Sequence, residues 1–476
     1  MRRETSGIRI TDLGRKSLSL LLFLPLAVIL ATAITSAGSY LLLIVVAGLI
    51  FFTVLTDFKV SLILIAINSY FLSYLIWVFN LPGPLINLGY FLIIMVMMRE
   101  YFFTANLLPI RTPLNWVLFS IIALGCLSIA NGSSALYPSF KGLLRHIGFP
   151  LLFFLILMAE PDEKLMKKLV WGIILVAFLQ VAASIYQFGY YTFISHKPPG
   201  MRADYSGGLL GYSCGGYTAV FVAMTFCILI GFILVYGMRW YYLVGILALM
   251  LPVFLASART GVFFFALGGL FMLLAAPLKK HAPFSKRLLI SIVLILGLGG
   301  VIVSGVAGES FEVLTDFNYL YEYSMKQADS GLGRLQAFDI VKFQLSNPVA
   351  RLIGLGPGKL TPTSIVRNER SLIAQNTQLF QNVTGYAYTT IEIGFLGLIL
   401  FIMMYLRAYG FTRRFMKQVD DPFWEAVSLG FCGAILIYII STVYVDSWIY
   451  YPLPFTFWAL AAAIYRVGVI KGYFYV

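Results

Sequence analysis

Charge is scarce in this sequence. Of 476 residues only 11% are Asp, Glu, Lys or Arg, and just 20 are acidic. No soluble domain of ordinary composition is built this way. Cysteine is also sparse: Cys126, Cys214, Cys227 and Cys432 are scattered through apolar surroundings. They have neither the paired spacing of a zinc site nor the pattern of a disulfide framework, and read as small core-filling residues. Segments of about ten residues with alternating polarity are missing, which argues against a membrane β-barrel. There is no internal repeat, no low-complexity tract and no soluble appendage.

What the sequence has is apolar length. Hydrophobic residues make up 60% of the chain, in runs of about 20 residues, each long enough to cross the hydrocarbon of a bilayer as a helix. Backbone polar groups must be satisfied internally in lipid, so segments this apolar are helices. The expected fold is all-α: one polytopic transmembrane bundle over 1–476 with about 12–14 spans. Fourteen candidate spans are 18–37, 39–56, 60–80, 84–98, 113–131, 147–160, 166–189, 216–237, 241–256, 260–276, 288–306, 386–406, 423–444 and 451–466. The fourth and sixth are short enough to be tilted, interfacial or re-entrant. The basic N-terminus leads into a long apolar run, which reads as an uncleaved first span.

The net charge of +14 would suit nucleic acid if it were not so unevenly placed. With both termini on the cytoplasmic side, 22 of the 34 lysines and arginines fall in inside segments. Short outside loops hold five: Lys141, Arg145, Lys197, Arg202 and Arg259. This is the positive-inside pattern, so the excess points to anionic lipid and gives no indication of a nucleic-acid partner. Two outside segments stand out: the Gly-, Pro- and Tyr-rich stretch 190–215, and 307–385, a long stretch with amphipathic patches such as GRLQAFDIVKFQL, where Leu335, Phe338, Ile340, Val341 and Leu345 share a face. Structured loops of this size over a bundle are usually functional.

Three arginines fall on the outer side among small residues: Arg202 in GMRADYSGG, Arg259 in SARTG and Arg334 in SGLGR. A guanidinium at membrane depth is costly unless it meets water or an anion, and its planar fork binds phosphate bidentately without losing charge. Taken singly, each also fits a snorkelling interfacial arginine. Lys141 and Arg145, against the positive-inside trend, fit either an interfacial helix or a basic lip for an anionic lipid or glycan. GLGPGKL is not a nucleotide phosphate loop, because it is one residue short and has no Ser or Thr after Lys359.

SARTG between two apolar helices resembles a step found in bacterial O-antigen ligases and the related O-antigen and exopolysaccharide polymerases. RADYSGGLLGYSCGGY resembles the arginine-bearing outer loop of that family. GRLQAFDIVKFQLSNPVARLIGLGPGKL resembles its large periplasmic loop, with Arg334, Pro348 and the run Gly354, Gly356, Gly358. TTIEIGFLGLILF resembles the segment where that loop re-enters the membrane, with Glu392, Gly394 and Gly397. The resemblance spans about 200–410.

It implies inverting glycosyl transfer at the outer face of the cytoplasmic membrane, without metal, cofactor or nucleotide sugar. The donor would be an oligosaccharide on undecaprenyl diphosphate, and the acceptor another glycan or a lipid A core. Arg202 and Arg259 would bind the diphosphate, with Arg334 as a third contact or an orienter; Arg259, Arg334 and Glu392 are the candidate catalytic residues, and Arg351, Lys359 and Tyr388 are candidate loop contacts. One departure matters. The ligases carry a His-Asn pair about eleven residues before the re-entry glycine; here those positions are Val383 and Thr384. Glu392 is the substitute for the missing base, or else a carboxylate that packs or orients. The absence of the pair favours a polymerase over a ligase. A transporter of the same lipid-linked glycan is the rival of a different class, but repeat symmetry and paired broken helices, its marks, are not evident.

Overall fold

The computed structural model describes residues 48, 57–80, 85, 87–104, 111–131, 136–197, 205–212, 214–256, 258–275, 327–328, 331–332, 336–360 and 383–474. The expected spans 18–37 and 288–306 lie outside the described residues, as do 39–56 apart from residue 48 and most of the loop 307–385. The described chain is a helical bundle. Its helices are α1 (Phe58–Val78), α2 (Leu88–Thr104), α3 (Asn115–Asn131), α4 (Leu136–Met158), α5 (Glu163–Gly189), α6 (Gly215–Tyr236), α7 (Trp240–Leu255), α8 (Arg259–Ala275), α9 (Gln336–Gln344), α10 (Pro348–Ile353), α11 (Gly385–Gln418), α12 (Pro422–Ser441) and α13 (Pro452–Ile470). A π turn, Tyr190–Ile194, prolongs α5. The only paired strands among the described residues are β1 (Gln327–Ala328) and β2 (Gly331–Leu332), joined antiparallel.

Seven of these helices, α1, α4, α5, α6, α11, α12 and α13, are long and apolar enough to cross a membrane, and α3, α7 and α8 carry shorter apolar stretches. The polytopic helical membrane bundle expected from hydropathy is therefore present. At its centre α6 is apolar on every side and almost wholly buried, the disposition of a helix surrounded by protein. It packs along α12 through small residues. A Cβ on Gly231 would lie 2.2 Å from the Ala426 carbonyl oxygen, and one on Gly430 would lie 2.4 Å from the Ile228 Cα. Backbones approach this closely only where side chains are absent, the usual adhesive of helices in lipid.

The ends of the elements follow from local chemistry. Asp162, Asn347 and Asp421 cap α5, α10 and α12, their side chains accepting from the amides of Leu165, Val349 and Phe423 at 2.9 to 3.0 Å. Pro348 and Pro422 occupy the first helical position, where no amide is required. One end of the bundle is tied by polar groups from distant segments. Lys167 contacts Glu163 at 3.1 Å and Asp421 at 2.8 Å, Trp424 donates to Glu163 at 2.9 Å, and Arg466 donates to the Pro161 carbonyl at 3.1 Å. Burial alone would raise the Asp421 carboxyl, but the Lys167 ammonium and the Phe423 amide hold it below its ordinary value.

Two helices depart from the hydropathy reading. The span at 147–160 is the second half of a longer helix, α4, that begins at Leu136 and continues through Pro150. Lys141, Arg145 and His146 are therefore on a helix and not in a loop. The span at 386–406 is part of a 34-residue element, α11, interrupted at Gly394. In the large loop, α9 falls on the amphipathic patch: Ala337, Val341 and Leu345 are buried, while Phe338 stacks on Tyr386 with ring centroids 4.2 Å apart.

Candidate active site

The site begins with a glycine. Gly394 has φ 73° and ψ −179°, a conformation reached almost only without a side chain. The helix breaks there, so the carbonyls of Ile391 and Glu392 lose their helical partners. In lipid such orphans cost several kcal/mol each. They are satisfied from the loop that follows α10. The Leu355 amide donates to the Ile391 carbonyl at 2.8 Å and the Gly356 amide to the Glu392 carbonyl at 3.0 Å. The Ser128 hydroxyl on α3 also donates to the Glu392 carbonyl, at 2.8 Å.

The glycine run makes this docking possible. Gly354 and Gly358 have φ of 82° and 94°. A Cβ on Gly354 would sit 2.4 Å from the Glu392 carbonyl oxygen, and one on Gly358 would sit 2.4 Å from the Pro138 carbonyl oxygen. The segment 354–360 is thus a wedge between α4 and the break in α11.

Glu392 closes the wedge from within. Its side chain is fully buried. Oε1 accepts the amides of Gly358 at 3.0 Å and Leu360 at 2.8 Å. Oε2 lies 3.0 Å from His146 Nε2. Both oxygens are thus engaged by protein partners. His146 is itself buried, flanked by the rings of Tyr388 and Phe401. One turn before Glu392, the Tyr388 hydroxyl accepts from Arg145 Nη1 at 3.2 Å, and the guanidinium lies 5.6 Å from the centre of the Tyr388 ring.

The Asp446 carboxylate also acts electrostatically on Arg145. Asp446, in the connection between α12 and α13, accepts a hydrogen bond from the Tyr217 hydroxyl of α6. Burial pushes the Asp446 carboxyl above its ordinary range, although Tyr217 and Arg145 both favour its charge. The Tyr217 ring stacks on Tyr450, 4.0 Å between centroids, and the Tyr450 hydroxyl donates to the Leu210 carbonyl at 2.5 Å. A belt of cation, carboxylates, imidazole and phenols therefore crosses one end of the bundle, joining α4, α6, α11 and the α12–α13 connection.

Of the residues singled out in the sequence, Glu392 and Tyr388 lie within this belt. Lys359 is buried in the wedge next to Gly358. Arg351 is exposed on α10, where its Nε donates to the Leu345 carbonyl at 2.7 Å. Arg259 is the first residue of α8, just after the three-residue connection 256–258. That connection borders the start of α6: a Cβ on Gly215 would lie 3.0 Å from the Ala256 carbonyl oxygen. The next glycine, Gly216, borders Tyr444 and Val445, and Val445 in turn borders Gly385 at the start of α11. Arg259 thus enters the bundle at the same end as the belt. Its side chain, Arg202 and Arg334 lie outside the described residues.

Arg145, His146 and Asp446 form the core of the belt without carrying a motif. Signals existed for two of them: Arg145 is a cation that runs against the positive-inside count, and Asp446 is the only acidic residue after Glu425. His146 had only its position beside Arg145.

Fold and site together define a polytopic α-helical membrane protein with a broken span and a buried polar belt at one end. No family model matches the chain, and no match was found among curated proteins.

Proposed function

We propose that this protein is a membrane glycosyltransferase that polymerises oligosaccharide units carried on undecaprenyl diphosphate at the outer face of the cytoplasmic membrane. The observation that supports this reading most is the junction of two segments whose sequences resemble that enzyme class. The Gly354–Gly358 run of the large loop is seated on the Glu392–Gly394 break of the span that follows it. A loop anchored in this way can cover a cavity in which two lipid-borne substrates are aligned.

In the proposed reaction an acceptor hydroxyl attacks the anomeric carbon of the donor glycan. The bond from that carbon to the diphosphate oxygen breaks, and the lipid diphosphate leaves with its electron pair. Negative charge grows on the leaving oxygen, so fixed cations aimed at it accelerate the step. Arg259, Arg202 and Arg334 are assigned this work, and Arg259 begins α8, whose N-terminal dipole also favours an anion. The acceptor proton passes to a base. With Val383 and Thr384 standing where the ligases have His-Asn, we assign that role to His146, which Glu392 holds through Nε2.

The test replaces Arg259, Arg334 and His146 singly by Ala, with membrane abundance checked by immunoblot. Loss of polymer is expected from each. Undiminished polymer from the Arg259 or Arg334 variant at normal abundance overturns the reading. Undiminished polymer from the His146 variant alone removes only its role as the base.

A further inference from the structure

At the opposite end of α11 from its glycine break, the bundle surface opens into a cavity of about 560 Å³. Its cationic lining is Arg111, Arg407 and Arg414, over a floor that includes Phe411, Tyr465 and Phe474. A smaller cavity of about 360 Å³ shares Gly410 and Arg414 with it and adds Arg413 and Lys417. No acidic side chain is among the described residues lining either one.

Positive-inside bias accounts for cations at this end, but not for their convergence. Arg407, Phe411 and Arg414 follow the i, i+4, i+7 spacing that places side chains on one helical face. Arg111 arrives from a different segment and is moored to the cavity wall, its carbonyl accepting from the Tyr465 hydroxyl at 3.4 Å. The Arg407 guanidinium lies 5.5 Å from the centre of the Trp116 ring. Gly410 keeps the wall low, because a Cβ there would meet nothing within 4 Å. Arg414 stands twenty residues beyond Gly394, about 30 Å along the helix axis, or one hydrocarbon thickness from the polar belt. A cationic rim over an aromatic floor at that depth suits a phosphate ester.

We propose that this cavity binds a phosphate group, carried by a lipid headgroup in the adjoining leaflet or by a soluble phosphate. The site is separate from the polar belt and does not depend on the transfer reaction. The full chain is reconstituted in phosphatidylcholine nanodiscs and titrated with phosphatidylglycerol in one arm and inorganic phosphate in the other, with binding read by native mass spectrometry. The double variant Arg407→Gln, Arg414→Gln is compared with Lys164→Gln, Lys168→Gln, which removes the same charge from exposed positions on α5. Gly410→Leu fills the wall without changing charge.

Affinity for one of the two probes is expected to fall about tenfold or more in the arginine pair and in the Gly410 variant, and by less than about threefold in the lysine pair. The probe that shows this pattern identifies the source of the phosphate. Equal losses in the arginine and lysine pairs, or saturable binding of neither probe, overturn the proposal.

Discussion

Gly394→Ala is the sharpest perturbation of the wedge. The native backbone at this position, φ 73° and ψ −179°, is one that residues with a side chain adopt at a cost of about 1–3 kcal/mol. Steric conflict adds to it: the new methyl carbon would lie 2.2 Å from the Leu352 carbonyl oxygen and 2.6 Å from the Gly354 amide nitrogen. Both are backbone atoms, so relief requires the 352–360 segment to move off α11. That movement breaks the amide hydrogen bonds of Leu355, Gly356, Gly358 and Leu360 to Ile391 and Glu392. At a net 0.5–1.5 kcal/mol for each of four bonds, the loss is about 2–6 kcal/mol. The total is roughly 3–9 kcal/mol, against typical losses of 0.5–3 for a point substitution. Thermal unfolding in detergent, followed by intrinsic fluorescence, reads the effect, and limited proteolysis reports whether 354–360 has come loose. Gly410→Ala is the control on the same helix, where a Cβ meets open space and the gain in helix propensity is up to about 1 kcal/mol. If Gly394→Ala melts with the wild type and resists protease equally, the argument that this glycine forms the seat of the loop is wrong.

Three further outcomes are expected. Glu392→Ala leaves two buried amides and the His146 imidazole without an acceptor, and costs about 3 kcal/mol or more in unfolding free energy; a double-mutant cycle with His146→Ala should return a coupling above about 0.5 kcal/mol, and additive losses contradict the direct contact. Tyr388→Phe removes a hydrogen-bond acceptor of the half-buried Arg145 guanidinium and lowers stability by about 1 kcal/mol, read from the same melts; an unchanged midpoint contradicts the bond. The Asp421 carboxyl is held low in the folded state, so its contribution is present above its unfolded value near 4 and is lost as pH falls through the lower folded value. Asp421→Asn keeps the α12 cap and should flatten that acid limb of the stability profile; an identical pH profile refutes the assignment.

Hydropathy located the apolar helices well. The spans read at 60–80, 166–189 and 216–237 correspond to α1, α5 and α6 to within a few residues. It failed where polar side chains enter a helix for structural reasons. Lys141, Arg145 and His146 ended the apolar run early, although the helix continues to Leu136 because the belt supplies partners for its polar face. Arg407 to Lys417 similarly hid the last turns of α11. The glycines at 354, 356, 358 and 394 were visible in the sequence, and each has a positive φ. Their pairing was not visible, since periodicity carries no information on contacts between segments dozens of residues apart. For the same reason Glu392 could be noticed while its partner His146, 246 positions earlier, could not be assigned to it.

The most direct test of the functional account is reconstitution of the purified protein in liposomes with a defined undecaprenyl-diphosphate oligosaccharide as sole substrate, with products resolved by gel. The account predicts a ladder of lengthening chains, abolished by Arg259→Ala in protein that melts like the wild type. Labelled donor that crosses the bilayer without being extended, or no product until a lipid A core acceptor is added, contradicts it; the first outcome indicates a transporter and the second a ligase.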